Sequence, residues 1–174
     1  MNIGAGRTVR QDIVTVTEAI KDRTFFRNPA FMEAVHHAKD HKGKVHVMGL
    51  LSNGNSAHSS PEHLYAVLKL LHEQGVKNVL LHLFTDGRDA APFSAIRLID
   101  KLLPHLMPGQ RIASLMGRFY AMDRNKLWHR TELAYNAMVL GQGIAAEDAK
   151  TAILRSYNRG DSDEFILPTV IVDA

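Results

Sequence analysis

The sequence predicts an α/β fold, a three-layer sandwich with a largely parallel sheet flanked by helices. Two observations carry this. Three apolar runs of β type, "KVHVMGLL" (44–51), "KNVLLHLF" (77–84) and "RIASLM" (111–116), are spread along the chain. Each is followed by a polar loop and then by a stretch with helical spacing of apolar residues, the alternation expected of parallel strands joined by crossover helices.

The elements follow in order. Residues 8–22 predict a helix, with Val9, Ile13, Val16 and Ile20 near helical spacing. Residues 28–43 predict a second, with Asn28 as N-cap, Pro29 at the first helical position and Gly43 closing it. The strand at 44–51 leads through "SNGNSAHSSPE" to a helix over 62–74, stopped by Gly75. The strand at 77–84 leads through "TDGRDAAP" to a helix from Ser94 that Pro104 ends or kinks. The strand at 111–116 leads through "GRFYAMDR" to a long helix reaching Leu140, stopped by Gly141. A helix over 146–158, with Gly160 after it, and a late strand in "EFILPTVIV" complete the pattern. Both ends read as cuts: the chain starts in a glycine turn, "NIGAGR", and stops inside an apolar run, "VIVDA".

Composition narrows the class. The chain has 174 residues, 45% of them hydrophobic and 22% charged, enough for one domain with a sizeable core. No apolar run approaches the roughly 20 residues that span a bilayer, and the N-terminus lacks a signal-peptide stretch, so no membrane role is expected. The absence of cysteine excludes disulfides and thiolate chemistry and fits a cytoplasmic location. The net charge is +3 and the pI about 9.3, but Lys and Arg are scattered without a run of four, so no nucleic-acid tract is expected.

In an open parallel sheet, ligands bind outside the carboxyl ends of the strands. Here each strand exits into an unusual loop. The first carries Asn53, Asn55, His58 and serines, the second Asp86, Arg88 and Asp89, and the third Arg118, Asp123 and Arg124. If the strands are neighbours, one histidine, three arginines and several carboxylates line one rim. Guanidinium groups read carboxylate and phosphate through a planar fork of donors. Three of them predict a ligand with more than one anionic group, such as a small phosphorylated acid. Asp89 among the arginines would stay ionised and accept a proton from a ligand hydroxyl.

Plainer readings stand beside these. Asp86-Gly87 is a turn pair, and Arg88 would then bridge Asp86 and Asp89 on the surface. Asp123 reads as an N-cap, with Met122 and Leu127 at the spacing of a hydrophobic staple. Asn53-Gly54-Asn55 reads as a turn, His58 as a loop histidine and Arg118 as a solvated arginine. His37 and His41 lie four apart on a helix but lack a third metal ligand. His46 and His82 read as hydrogen-bonded sheet residues. "GAGR" (4–7) follows no strand and lacks the third glycine of a dinucleotide fingerprint.

The stretches "NIGAGR", "MGLLSNGN", "HLFTDGRDAAP", "GRFYAMDR" with the tryptophan after it, "AYNAMVLG" and "DEFILPTVI" run in order over nearly the whole chain. Together they resemble the 2,3-bisphosphoglycerate-independent, or cofactor-independent, phosphoglycerate mutases, in their inserted substrate-binding (transferase) domain. The resemblance implies that residues 1–174 form most of that domain, truncated at both ends. A phosphatase-like metal and phosphoserine domain would be absent, and with it the serine nucleophile and two Mn2+ or Mg2+ ions. No cofactor or metal is implied in this chain. The implied substrates are 3-phosphoglycerate and 2-phosphoglycerate, and the implied process is isomerisation in cytoplasmic glycolysis through a phosphoserine.

The family's substrate contacts fall on His58, Arg88, Asp89, Arg118 and Arg124. The arginines would bind the carboxylate and phosphate. Asp89 would meet the glycerate hydroxyls as acid or base, and His58 the phosphoryl side. One loop departs from the family's Ser-Asp-Gly-Gly-Val-His-Ser-His. In "SNGNSAHSS", Asn53 replaces the aspartate, an extra residue precedes His58, and Ser60 replaces the second histidine. Two other functions remain open on the residues alone: a stand-alone module binding phosphorylated metabolites, and a basic module whose arginines meet an acidic partner or nucleic acid.

Overall fold

The computed structural model describes residues 2–7, 10–54 and 59–172. Its framework is a five-stranded sheet of β1 (Val45–Leu51), β2 (Val79–Thr85), β3 (Gln110–Gly117), β4 (Ile144–Ala146) and β5 (Thr169–Ile171), in the order β1-β2-β3-β5-β4. The β1–β2, β2–β3 and β4–β5 pairs are parallel; β3 and β5 run antiparallel. The helices are α1 (Asn2–Ala5), α2 (Asp12–Lys21), α3 (Pro29–Asp40), α4 (Pro61–Glu73), α5 (Ala95–Leu102), α6 (Arg118–Ala121), α7 (Trp128–Tyr135) and α8 (Ala149–Asn158). The α/β sandwich expected from the sequence is the fold observed.

Central position explains strand composition. All seven residues of β2 are buried, which is why it reads as an unbroken apolar run rather than an alternating one. One sheet face carries Val79, Leu81, Leu83 and Leu115 into a large core with Leu68 and Leu71 of α4, Ile99 and Leu102 of α5, and Ile153 of α8. The other face carries Leu50, Phe84 and Met116 against Ala134 of α7 and Ala137 after it. The pairing of β2 with β3 slips by one residue between Leu81 and His82, a bulge that leaves His82 opposite Ser114. His82 Nδ1 lies 2.8 Å from Ser114 Oγ and its Nε2 lies 2.9 Å from His46 Nδ1, so both strand histidines are hydrogen-bonded sheet residues.

Helix starts follow the local chemistry. Asn28 caps α3 by accepting from Ala30 N at 3.0 Å, with Pro29 next. Residues 8 and 9, the start of the first expected helix, lie outside the described residues; that helix runs from Asp12. The glycine turn expected at the N-terminus is instead the short helix α1.

Three further expectations change. The helix placed at 146–158 begins at Ala149, capped by Asp148, which accepts from Thr151 N at 2.9 Å. Residues 144–146 are the strand β4, because pairing with β5 overrides the helical preference of two alanines. The long helix to Leu140 is α only from Trp128 to Tyr135 and then widens to a π-helical stretch, Asn136–Leu140, before Gly141. The late strand is confined to β5. Residues Asp163–Phe165 instead form a 3-10 turn, and Ile166 O accepts from Gly117 N at 2.7 Å.

Candidate functional site

The strands β1, β2 and β3 are neighbours, so the loops after them share one rim at their carboxyl ends. At the exit of β2, Asp86 is 1% exposed, and its Oδ1 accepts from Arg88 N at 3.2 Å and Asp89 N at 3.1 Å. This is an Asx turn that fixes the two following residues. Gly87 completes it with φ 66°. A Cβ there would lie 2.6 Å from Glu164 N, so the turn requires glycine for both conformation and space.

At the exit of β3, Arg118 opens α6 and reaches across to the β2 loop. Its Nη1 donates to Asp86 Oδ1 at 2.6 Å and to Asp89 Oδ2 at 2.9 Å. The bridge between the two aspartates, expected of Arg88, is made by Arg118. Burial disfavours the charged guanidinium, but the hydrogen bonds with Asp89 and Asp86 outweigh it, and the Arg118 pKa is raised.

A cleft of about 370 Å3 opens beside this ion cluster. Arg88, Arg118 and Arg124 all line it, with Phe119, Met122, Asp123, Asn125, Arg130, Glu164 and Phe165. Arg124 is exposed and makes no ion pair among the described residues. Asp89 borders the cleft through Arg118, with a 36% exposed side chain. His58 lies outside the described residues. Asn53 lines a separate cavity of about 230 Å3 beside Ser59, Ser60 and Tyr65, not the arginine cleft.

Asp123 is not the N-cap of α7, which starts five residues later after Leu127. Its Oδ2 instead accepts from Asn125 N at 3.1 Å and Leu127 N at 2.9 Å, closing the turn that presents Arg124. The Leu127 bond first, then Asn125 and Arg130, hold its carboxyl below the usual range, against the opposing effect of burial.

Three cleft residues, Arg130, Glu164 and Phe165, lie outside the strand-exit loops, and Phe119 beside Arg118 completes the lining. Arg130 donates to Asp123 Oδ1 at 3.1 Å and its guanidinium sits 3.6 Å from the Phe119 ring centroid. The Phe119 and Phe165 rings lie 5.0 Å apart. Arg130 was within reach of sequence reasoning, since it lies in the first turn of the helix that follows "MDR". Glu164 was not, since it arrives from a distant segment with no periodic signal.

That distant segment braces the site. Asp163 is fully buried; its Oδ2 accepts from Ser94 N at 2.8 Å, Ser94 Oγ at 3.0 Å and Ala95 N at 2.9 Å, and its Oδ1 from the Tyr157 hydroxyl. Asp163 N donates to Pro92 O at 2.7 Å, and Thr85 Oγ1 donates to Asp163 O at 2.6 Å. A Cβ on Gly117 would lie 2.1 Å from Glu164 O. The 163–166 turn thus packs on the backbone just before Arg118 and on the loop that carries Arg88.

Among the described residues, no group of three or more His, Asp or Glu side chains is placed to hold a metal ion, and no helix is long and apolar enough to cross a membrane.

Comparison with known proteins gives the family of the chain. Over its whole length the chain is 49% identical to a 2,3-bisphosphoglycerate-independent phosphoglycerate mutase of Chloroflexus aggregans, covering 32% of that protein. Over 98% of its length it is 47% identical to the enzyme of the same name from Clostridium novyi, covering 34%. A crystal structure of Leishmania mexicana phosphoglycerate mutase at low cobalt concentration superposes with a TM-score of 0.85 at 30% identity, over 95% of this chain and 32% of that one. The chain therefore spans about a third of the length of these relatives. The family model described as BPG-independent PGAM N-terminus matches residues 16–174, and the chain belongs to that family.

Proposed function

We propose that the arginine cleft is the substrate-holding half of a phosphoglycerate mutase that interconverts 3-phosphoglycerate and 2-phosphoglycerate in cytoplasmic glycolysis. The observation that carries this reading is the convergence of Arg88, Arg118 and Arg124 on one cleft, with Arg124 making no ion pair among the described residues. Two ends of a small phospho-acid need separate guanidinium partners. Arg88 and Arg124 meet one anionic group from the cleft wall, while Arg118 anchors the other. Asp89, oriented by Arg118, accepts a hydrogen bond from a glycerate hydroxyl and moves its proton. His58 contacts the phosphoryl side.

Residues 1–174 then belong to a substrate-binding domain. The phosphoserine and two Mn2+ or Mg2+ ions belong to a phosphatase-like domain in the rest of the protein. Those ions would supply the electrophilic activation of the phosphoryl group. In this reading the chain's own contribution is binding, orientation and proton handling.

Calorimetry with 3-phosphoglycerate tests the reading. Saturable binding is expected, weakened at least about tenfold by Arg124→Ala, since hydrogen bonds to charged groups contribute roughly 1.5–3 kcal/mol. The chain alone should show no mutase turnover. Turnover by the purified chain, or uptake of nucleic acid with steep salt dependence in place of the phospho-acid, would overturn it.

A further inference from the structure

The charges lining the cleft are not equally committed. Arg118 is held by Asp86 and Asp89 at 2.6 and 2.9 Å, and Arg130 by Asp123 at 3.1 Å. Of the two carboxylates on the cleft wall, Asp123 is therefore engaged. The other, Glu164, approaches Arg88 Nη1 only to 3.9 Å, beyond hydrogen-bond distance, and no hydrogen bond engages its carboxylate among the described residues.

Glu164 is not a loose surface residue that happens to lie nearby. Its backbone N packs where a Gly87 Cβ would stand, and its backbone O where a Gly117 Cβ would stand. Asp163 before it and Ile166 after it are bonded into the exits of β2 and β3. Its side chain is 23% exposed, against 54% for Arg88. The fold thus fixes a negative charge in the wall of a cleft that Arg88, Arg118, Arg124 and Arg130 also line.

We propose that Glu164 is a built-in counter-anion that sets the charge of ligand the cleft admits. With the cleft empty it holds Arg88 in reserve. One anionic group of a phospho-acid takes Arg88 from it without a hydrogen bond having to break. A second phosphate adds charge that Glu164 repels, while Arg88 and Arg124 are already engaged by the first anionic group. Glu164 thereby selects singly phosphorylated acids over doubly phosphorylated ones. This inference rests on the phosphoglycerate reading above for the identity of the acid, but not for the sign of the effect.

The test is calorimetric titration of wild type, Glu164→Gln and Glu164→Ala with 3-phosphoglycerate, 2,3-bisphosphoglycerate and inorganic phosphate, with melting temperatures measured alongside. Both variants should tighten 3-phosphoglycerate by about three- to fivefold, the range set by partly exposed charge pairs. They should tighten the bisphosphate more, by roughly tenfold, so that the preference for the monophosphate shrinks. Unchanged or weaker binding of 3-phosphoglycerate in folded variants would overturn the role of Glu164 and leave the phosphoglycerate reading standing. Failure of wild type to bind 3-phosphoglycerate, with inorganic phosphate binding tighter to the variants, would do the reverse. Binding of no anion by any of the three proteins would overturn both.

Discussion

At the residue scale, the site turns on Asp86. A buried carboxylate is tolerated when it is paired and hydrogen-bonded, and one oxygen of Asp86 collects two backbone N–H groups and the Arg118 guanidinium. The other oxygen is buried without a hydrogen-bond partner among the described residues. Gly87 sets the geometry in which this works. Gly87→Ala adds a Cβ at φ 66° against the backbone of Glu164 and the Cβ of Asp163. The expected outcome is a loss of about 2–4 kcal/mol in urea denaturation, from backbone strain plus overpacking. Arg88 would shift with the turn, so 3-phosphoglycerate affinity should fall as well. The concentration of charge at this strand exit was legible in the "DGRD" stretch. Which arginine bridges the aspartates was not legible, because the reach of Arg118 across two strand ends is a property of the assembled sheet.

At the element scale, the central strand β2 carries a titratable group where the sheet is driest. His82 is 3% exposed; burial first, and then the neighbouring His46, push its pKa below the usual histidine value. Above about pH 6.5 the ring is neutral in both folded and unfolded chains. Below it, the unfolded chain takes up a proton that the folded ring resists, so stability falls as the pH drops through that range. Urea midpoints measured from pH 7.5 to 5 should decline in wild type. They should decline less steeply in His82→Gln, whatever that variant's own stability. The strands themselves were legible because buried parallel strands read as continuous apolar runs. The β4 strand was not, since three residues with two alanines acquire strand character only from their neighbour β5. The start of α7 was misplaced for a related reason. Asp123 has cap chemistry, but Lys126 at φ 60° turns the chain before the helix can begin, so the carboxylate closes a loop instead.

At the scale of the whole molecule, the sheet order converts sequence-distant loops into one rim, and the segment after α8 locks that rim in place. Thr85 and Asp163 are 78 residues apart, yet bonded at 2.6 Å. Removing residues 162–174 should therefore abolish phospho-acid binding, even though every arginine of the cleft remains. Amide hydrogen exchange should show the 86–95 segment losing protection in that shortened chain. Retained binding would place the brace outside the functional requirements. The fold class, the three loops and the family were all readable from the chain alone, because each rests on local pattern or short motif. The brace rests on neither; it is a contact between segments whose only common feature is where the sheet puts them.

The late arrival of that brace also orders events in time. As the chain leaves the ribosome, the loops with Arg88 and Arg118 emerge long before Asp163 does. Until the last strand pairs with β3, the guanidinium groups have no fixed spacing and no counter-charge from Glu164. A nascent chain of this protein would thus pass through a stage with a formed sheet and an unassembled anion site. Competence for ligand would then be acquired abruptly, once the 163–171 segment has emerged and paired.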